Sequence, residues 1–374
     1  MAPVTRKPRI FLLIPCFVPY DAVGNDVHGM YRLLSAAGYD VRILAAEFHK
    51  SYQDIAAPLQ LDCDYWRSPG DILIYHHAIG WPLGEAVLAR TRNQVVIKYH
   101  NITPARFFEP YAQHYHNACT EGESATRRLA QTPAAMFWGD SQFNAEELIS
   151  YGAPRERCRW VPPCHHTDDL TDVPLDSHIL GTYRDGHVNI LFVGGMKPNK
   201  GHALALRAFA AYRRVYNQRA RMIFVGSYDP GLSSYLEHIR RFARQLSLEG
   251  DTVFAHSVSP SQLKTFYYVA DTFLCVSEHE GFCVPLVEAM SFRVPILALG
   301  QTAVSETVGD AGIVHGQFDP IVFADSLEAY RRDYQQCLDM TTRGRLRYEA
   351  EFCPQAIQRK LVALVREMET GCHA

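Results

Sequence analysis

The chain has 374 residues, of which 47% are hydrophobic and 21% charged, a composition typical of a globular protein that is long enough for two domains with separate cores. Its 37 lysines and arginines stand against 40 acids, so the formal net charge is −3. This balance excludes the overall basic field of a nucleic-acid-binding protein, and any anion site must be local.

The cysteines and the first residues of the sequence indicate the cellular compartment in which the protein works. Ten cysteines are scattered without a CxxC pair or zinc-like spacing, which is typical of reduced thiols. The basic residues 1–9 pass directly into a short apolar run at 10–14, too brief for a signal-peptide core or a membrane span. We therefore expect a cytoplasmic protein.

The first half of the chain alternates apolar, strand-like runs with segments of helical character. Helices are predicted at 26–37 and 144–151. The predicted strands lie at 9–15, 40–44, 71–75, 94–99, 135–139 and 159–161. Strands that alternate with helices predict a parallel sheet.

The same alternation restarts after a polar interval at 162–186. Five further strands are predicted at 189–193, 221–225, 252–255, 272–276 and 295–298. We therefore predict an α/β fold with two doubly wound, Rossmann-like parallel-sheet domains that face a cleft, where the carboxyl ends of the strands bind ligands. The predicted segments are a first domain at 1–165, a linker at 166–187, a second domain at 188–353, and a final helical segment at 354–374. This last segment could pack on either domain, and packing back on the first domain is the named candidate.

Two carboxylates lie eight residues apart, Glu280 at the end of a predicted strand and Glu288 about one turn into a helix that Pro285 begins. Helix-start amides between them attract anions, and carboxylates accept hydrogen bonds from hydroxyls. A sugar joined to a diphosphate fits this pattern. The alternative is an ordinary turn acid followed by an acid that the helix dipole favours.

A second anion-binding turn, in addition to the helix start near Pro285, is predicted at 191–201. There a strand passes through a glycine-rich turn into a helix. Gly194 and Gly195 permit close backbone approach, and Lys200 offers a charge for a phosphate. The run matches neither GxxxxGK[ST] nor GxGxxG. The alternative is a solvated turn lysine.

Two strand ends in the first half carry further candidates. Amides at Gly24 and Asn25 would approach a phosphate, while Asp26 is predicted to cap a helix that begins near Val27. His100 ends a strand, where it would bond a substrate hydroxyl or a developing charge. The alternative is a histidine that the backbone satisfies.

Seventeen histidines raise the question of a metal. The pairs His76-His77, His114/His116 and His165-His166 lack the i, i+4 helical spacing of zinc hydrolases, and neighbouring strand residues point to opposite faces. We therefore predict no metal site.

Four runs together, at 192–201, 280–290, 294–296 and 305–312, resemble the carboxyl-terminal half of glycosyltransferase family 4 in order and spacing. The resemblance is specific over residues 189 to about 315 and weaker before them. It implies a GT-B fold with an acceptor-side first domain and a donor-binding second domain. It also implies sugar transfer from a nucleotide diphosphate, with retention of configuration and no required metal or other cofactor.

The resemblance also assigns site residues. It gives catalytic roles to Glu280, which contacts the donor sugar, to His100, which lies against that sugar, and to Lys200, which holds the diphosphate. The donor-binding set that it implies is Gly24, Asn25, Gly194, Gly195, Lys200, Gly281, Phe282, Cys283, Val284 and Glu288, the last of which holds the ribose hydroxyls.

Three positions depart from the family pattern. Gly195 stands where most members have an arginine, so Lys200 or Lys197 must supply the missing charge. The family has a Gly-Phe-Gly turn where this chain has residues 281–283, so Cys283 replaces its second glycine. Asn25 replaces the second of two glycines in the loop that follows the first strand. These departures affect the diphosphate site and leave the two carboxylates in place.

The runs 99–104 and 197–202 look most like family members that build bacterial polysaccharides, often mannosyltransferases that use GDP-mannose. The implied acceptor is a glycan, or a saccharide linked to polyprenyl diphosphate. Open alternatives are a UDP-sugar donor, a nucleotide-sugar 2-epimerase, and a non-catalytic two-lobed sugar-binding protein.

A lipid-linked acceptor would require peripheral contact with the inner face of a membrane. The candidate contacts are Arg106, Phe107, Phe108, Tyr111, Arg127 and Arg128. The alternative is a partly buried aromatic cluster for the first four residues and a solvated charged face for the two arginines 127 and 128.

Overall fold

The computed structural model describes residues 6–19, 21–217 and 219–370, which form two compact units. The first unit comprises the chain up to Pro104, Asn117–His166, and the residues from Cys353 onward. The second comprises Ala105–His116 and Thr167–Phe352. This division differs from the predicted one, because most of the expected linker consists of residues of the second unit, including the short helices Thr167–Thr171 and Ser177–Tyr183.

Thirteen strands occur in the described residues. They are β1 (Arg9–Phe17), β2 (Asp40–Phe48), β3 (Ala56–Pro58), β4 (Ile72–His77), β5 (Gln94–Tyr99), β6 (Met136–Gly139), β7 (Cys158–Trp160), β8 (Val188–Val193), β9 (Ala220–Gly226), β10 (Thr252–His256), β11 (Thr272–Cys275), β12 (Ile296–Leu299) and β13 (Gly312–His315).

Fourteen α-helices occur in the same residues. They are α1 (Ala22–Ala36), α2 (Pro82–Leu88), α3 (Gln113–Leu129), α4 (Gln142–Ser150), α5 (Thr167–Thr171), α6 (Ser177–Tyr183), α7 (His202–Val215), α8 (Ser233–Gln245), α9 (Pro260–Val269), α10 (Val284–Ser291), α11 (Val304–Val308), α12 (Pro320–Arg332), α13 (Tyr334–Arg347) and α14 (Pro354–Thr370). None of them is both long and apolar enough to cross a membrane.

The first unit contains a parallel seven-stranded sheet in the order β3-β2-β1-β4-β5-β6-β7. Side chains of β1 alternate between two cores because successive strand residues point to opposite faces. Ile10 and Leu12 enter one buried cluster, whereas Phe11 and Leu13 enter another. Apolar residues therefore run continuously along β1, as expected for a strand that is covered on both sides.

Helix α14 supplies part of the core of the first unit. Its buried residues at helical spacing include Ile357, Leu361 and Val365, which join the cluster formed by α1 and one face of β1. The side-chain amide of Gln358 also donates from Nε2 to the carbonyl oxygen of Leu33, at 2.8 Å. The last helix is therefore a structural element of the first unit.

Replacing Leu361 with alanine should destabilise the first unit by about 2–5 kcal/mol, because the side chain is fully buried and leaves a cavity. The loss is expected in urea unfolding followed by fluorescence. Arg359→Ala, on the exposed side of the same helix, is the control and should change the unfolding free energy by less than about 0.5 kcal/mol. Equal losses in the two variants would contradict this packing.

The second unit contains a parallel six-stranded sheet in the order β10-β9-β8-β11-β12-β13. Its order reverses between β8 and β11, so the connections from these two strands leave in opposite directions. In open α/β sheets, ligands bind outside the carboxyl ends of the strands at such a reversal. The prediction of two parallel-sheet α/β domains is confirmed.

Candidate active site

The loops that follow β8 and β11 meet at the reversal of the second sheet. Lys200 lies at the end of a short 3-10 turn, Pro198–Lys200, after β8, and Glu280 lies in the loop between β11 and α10. Each carboxylate oxygen of Glu280 is 2.7 Å from Nζ of Lys200. Two residues that the sequence assigned to one site are therefore in direct contact.

The ion pair lies in a largely buried environment. The side chain of Glu280 is 8% exposed and that of Lys200 is 21% exposed. Burial alone would lower the pKa of Lys200, but the neighbouring carboxylate outweighs burial and holds that pKa above its ordinary value. Lys200 therefore stays an ammonium, and two of its three N–H groups are directed at Glu280.

Two hydroxyl residues, neither of them predicted from the sequence pattern, fix Glu280 further. Ser277 donates its hydroxyl to Oε1 of Glu280 at 2.7 Å. The hydroxyl of Thr302 accepts from the amide of Glu280 and donates to its carbonyl oxygen, both at 2.9 Å. These bonds define both the backbone and the carboxylate position.

The two loops are joined through Asn199. Its side-chain amide donates to the carbonyl oxygen of His279 at 2.9 Å, and its own carbonyl oxygen accepts from the amide of Glu278 at 2.9 Å. The next residue, Gly201, has φ 77°, and a Cβ there would lie 1.9 Å from the carbonyl oxygen of Val276. Glycine is therefore required where the Lys200 loop crosses the end of β11.

Helix α10 begins directly after this loop. Its N-cap, Cys283, has φ 75°, and the side chain of this residue makes no capping hydrogen bond. The prediction that Pro285 lies in the first turn is confirmed. The amides of the predicted donor residues Gly281, Phe282, Cys283 and Val284 thus surround the positive end of a helix dipole, which favours an anion.

The thiol of Cys283, at the position where the family has a glycine, lies 3.8 Å from that of Cys275. Both side chains are buried, and the left-handed backbone of Cys283 is a conformation that glycine adopts more easily. The departure from the family pattern is therefore accommodated by packing against a second thiol. The ring of Phe282 is buried and packs edge-on against Phe352.

Glu288 lies within α10, as predicted, and is held by a residue of α9. The hydroxyl of Tyr267 donates to Oε2 of Glu288 at 2.7 Å. Burial raises the pKa of Glu288, and this hydrogen bond partly offsets the increase. Sequence spacing gave no signal for Tyr267, because it is 21 residues away.

The glycine turn after β8 differs in detail from the prediction. A Cβ at Gly194 would meet only ordinary contacts, whereas a Cβ at Gly226, at the end of β9, would lie 1.9 Å from the carbonyl oxygen of Gly194. In this turn the position that requires glycine for close backbone approach is therefore Gly226 and not Gly194. A Cβ at Gly195 would lie 3.9 Å from the side chain of Lys197, so that lysine adjoins the place where the family has an arginine.

The predicted cap of the first helix is wrong. Helix α1 begins at Ala22, and its N-cap is Asp21, whose carboxylate accepts from the amide of Gly24 at 2.8 Å. The amide of Asn25 donates to the carbonyl oxygen of Asp21 at 2.8 Å. Both amides that were assigned to a phosphate therefore have partners in the first helical turn, and their contact with a donor stays a prediction.

Asp26 lies inside α1 and is fully buried. One of its carboxylate oxygens accepts from the amide of Cys164 at 2.6 Å. Burial raises its pKa. The residue therefore belongs to the interior of the first unit and does not cap the helix.

His100 is held inside the first unit by both ring nitrogens. Nδ1 lies 3.0 Å from Oδ2 of Asp140, and Nε2 lies 2.9 Å from Nδ1 of His76. Asp140 also bonds Lys98, which in turn donates to the carbonyl oxygen of Val161 at 2.6 Å. The predicted contact of His100 with a donor sugar is untested by this arrangement.

The residues proposed for membrane contact have protein partners. Phe108 is buried, and the ring of Tyr111 packs against Tyr235. Arg127 pairs with Glu123, and Arg128 pairs with two acids. These contacts agree with the alternative interpretation, a partly buried aromatic cluster and a charged face, and contact with a membrane stays a prediction.

Solved structures share this fold. Sucrose-phosphate synthase from Thermosynechococcus elongatus aligns with a TM-score of 0.77 and 16% identity over 98% of this chain and 100% of that one. WaaG, a glycosyltransferase of lipopolysaccharide biosynthesis, aligns with a TM-score of 0.70 and 14% identity over 95% and 99%. The chain therefore has the GT-B fold, and identities this low establish the fold alone.

Residues 183–347 match the family model of glycosyl transferases group 1. D-inositol 3-phosphate glycosyltransferase from Acidothermus cellulolyticus is 30% identical over 193 residues, which are 49% of this chain and 42% of that protein. O-antigen chain mannosyltransferase B from Escherichia coli is 32% identical over 179 residues, 46% and 45% of the two chains. The resemblance to GT-B glycosyltransferases is confirmed, and the matches span less than half of these curated relatives.

Proposed function

We propose that the chain is a retaining glycosyltransferase that moves a hexose from a nucleotide diphosphate to a saccharide acceptor. The observation that carries this proposal is the contact between Lys200 and Glu280 beside the start of α10. A carboxylate accepts sugar hydroxyls, while an ammonium and helix-start amides neutralise a diphosphate leaving group. The group 1 match over the same residues supports this assignment.

The proposed mechanism uses the ion pair as a unit. Two N–H groups of Lys200 hold Glu280, and the third can donate to a phosphate oxygen. Ser277 and Lys200 both donate to Glu280, so this carboxylate is suited to positioning hydroxyls and poorly suited to attack at the anomeric carbon. We therefore favour front-side attack, in which the leaving phosphate accepts the proton of the acceptor.

Lys197 is the proposed source of the second positive charge at the diphosphate. Its side chain adjoins Gly195, where the family has an arginine. With two ammonium groups at the leaving group, transfer should not require a divalent ion there. Adding Mg²⁺ or Mn²⁺ should therefore leave kcat/KM unchanged.

The proposed donor is GDP-mannose, and the proposed acceptor is a glycan or a saccharide linked to polyprenyl diphosphate. Mannosyltransferases among the sequence relatives support the sugar. A UDP-sugar donor is the second candidate, since HepE from Anabaena, solved with UDP and glucose, aligns with a TM-score of 0.74 and 16% identity over 96% of this chain and 100% of that one.

A thermal-shift series tests the donor directly. A ligand that binds the native state raises Tm, so GDP-mannose and GDP should give the largest increases in a panel of sugar nucleotides and nucleoside diphosphates. A larger increase with a UDP-sugar would select the second candidate. No increase with any nucleotide would contradict the proposal. Identification of the product anomer by NMR then tests retention.

The contact between Tyr267 and Glu288 leads to a pH-dependent prediction. Tyr267→Phe removes a bond that lowers the pKa of Glu288, so that pKa should rise further. A protonated carboxyl accepts ribose hydroxyls less well than a carboxylate. GDP affinity should therefore fall most at mildly acidic pH and recover as the pH rises through the raised pKa. Isothermal titration between about pH 5 and pH 8 measures this change.

The matched control is Tyr268→Phe, an adjacent tyrosine whose side chain is 54% exposed. It should bind GDP as the unmodified protein does at every pH. If Tyr267→Phe shows an unchanged pH profile, Glu288 does not hold the ribose.

A further inference from the structure

Two buried thiols meet beside the ion pair of the second unit. Cys275 is the last residue of β11, and Cys283 is the N-cap of α10, eight residues later. Their sulfur atoms lie 3.8 Å apart, within hydrogen-bonding distance. The proposed transfer mechanism uses the backbone amide of Cys283 and neither of the two thiols. The sulfur pair is therefore available for chemistry of its own.

A disulfide between the two sulfurs requires only a small movement. The S–S bond is about 2.0 Å long, so the sulfurs must approach each other by about 1.8 Å. Cys275 is held in the sheet, where it lies opposite Ala298 of β12. Cys283 has φ 75°, a backbone conformation that side chains other than that of glycine adopt at a cost. We therefore expect the movement at Cys283.

The surroundings of the pair favour a thiolate at Cys275. A hydrogen bond from the thiol of Cys283 lowers the pKa of Cys275, and the backbone amide of Ser277 acts in the same direction, whereas burial and Glu280 oppose both. The ammonium of Lys200 attracts negative charge on either sulfur. Because the thiolate and not the thiol attacks an oxidant, Cys275 is the nucleophile and Cys283 the partner thiol.

Burial limits the size of the oxidant. The side chains of Cys275 and Cys283 are only 4% and 7% exposed. A bulky disulfide reagent needs an open, linear approach to the attacking sulfur, which this burial obstructs. Hydrogen peroxide is little larger than water, and it oxidises thiolates to sulfenic acids that condense with a second thiol. The pair therefore fits a peroxide as its reactant.

We propose that Cys275 and Cys283 form a redox modification site, at which a peroxide converts the two thiols to a disulfide and thereby weakens donor binding. First, the Cys275 thiolate attacks one peroxide oxygen, the O–O bond breaks, and hydroxide leaves a sulfenic acid behind. The sulfur of Cys283 then attacks that of Cys275, the S–O bond breaks, and the departing hydroxide takes the Cys283 proton as water. The two sulfurs lose two electrons in total, which reduce one peroxide to one hydroxide and one water.

The disulfide affects the donor site through the start of α10. The amides of Gly281, Phe282, Cys283 and Val284 surround this helix end, and we have assigned them to the donor. Drawing Cys283 towards β11 displaces these amides, and a displacement of about 1 Å in an active site can lower the rate by about 100-fold. This consequence rests on the proposed function, whereas formation of the disulfide does not.

Mass spectrometry tests the disulfide without any nucleotide. Both cysteines lie in one tryptic peptide, residues 265–293. The folded protein is treated with hydrogen peroxide until the exposed Cys16 is oxidised, then unfolded in iodoacetamide and digested. The peptide should be two hydrogen atoms lighter than its reduced form and carry no alkyl group, and dithiothreitol should reverse this change. Two alkylated thiols, or sulfinic acids without a disulfide, would overturn the proposal.

Isothermal titration with GDP tests the effect on the donor site. Peroxide should lower the GDP affinity of the unmodified protein by at least about 10-fold, the effect of losing one amide–phosphate bond, and dithiothreitol should restore it. Cys275→Ser keeps the size of the side chain but cannot form the disulfide, so peroxide should not change its GDP affinity. Cys16→Ser, which removes an exposed thiol, is the matched control and should stay as sensitive as the unmodified protein.

Cys283→Gly provides a second test if Cys275→Ser does not fold, because glycine adopts the left-handed backbone of that position. Its GDP affinity should also be the same before and after peroxide. Sensitivity retained in either folded variant, or an unchanged affinity in protein with the disulfide confirmed, would overturn the proposal. A reduced protein that binds no nucleotide contradicts the proposed function instead, and the mass of the peptide still tests the modification.

Discussion

Replacing Glu280 with glutamine should lower kcat/KM for sugar transfer by at least about 100-fold. Glutamine retains the shape and one acceptor oxygen, but it loses the charge that holds Lys200 and accepts the donor hydroxyls. Losing one well-placed polar interaction of a transition state typically lowers the rate by about 100- to 1,000-fold. Initial rates at saturating acceptor, with the donor concentration varied, measure the change.

This variant should also lose stability, because glutamine leaves the largely buried ammonium of Lys200 without its counter-ion. Unsatisfied groups of this kind cost about 1–3 kcal/mol, which urea unfolding can resolve. The matched control is Glu278→Gln, an exposed acid two residues away. It should keep both the rate and the stability of the unmodified protein. A folded Glu280→Gln protein with an unchanged rate would remove Glu280 from the site.

Replacing Lys200 with glutamine should weaken the binding of GDP by about 10- to 100-fold, because a charge-assisted bond to phosphate contributes about 1.5–3 kcal/mol. Binding of the nucleoside alone should change little, since the ammonium is assigned to the diphosphate. Isothermal titration with both ligands separates the two effects. Lys50→Gln, on an exposed lysine of the first unit, is the control and should bind GDP normally.

The double variant, with glutamine at both positions, distinguishes a structural pair from a functional one. It has no uncompensated buried charge, so it should recover stability relative to the single variants. Transfer should stay as low as in Glu280→Gln. Recovery of transfer together with stability would mean that the pair acts only through folding.

Most of the fold could be predicted from the sequence because buried parallel strands are short apolar runs between turns. The predicted strand at 94–99 matches β5, and the prediction at 71–75 differs from β4 by one residue at its start and two at its end. The error at the end of β4 has a clear cause. His76 and His77 are polar in sequence, yet both are fully buried by partners from other segments.

The part of the candidate site that could be predicted from the sequence is the part that the order of the strands determines. Lys200 and Glu280 follow the two strands that adjoin the sheet reversal, so local pattern alone brings them near each other. Ser277 and Tyr267 hold the carboxylates of Glu280 and Glu288, and Thr302 holds the backbone of Glu280, through contacts that no periodicity encodes. The N-cap of the first helix was predicted wrongly because Asp21 and Asp26 have the same side chain and can both cap a helix. Only the folded structure distinguishes them, since Asp21 accepts from Gly24 while Asp26 is buried against Cys164.

The contribution of α14 to the core of the first unit affects the order of events during synthesis. On the ribosome, residues of β1 emerge first, but the cluster around Ile10 stays incomplete until Leu361 and Val365 have also emerged. Every segment of the second unit is available before that point. The second unit can therefore reach its native packing before α14 completes the core of the first unit, the reverse of the usual order of co-translational folding.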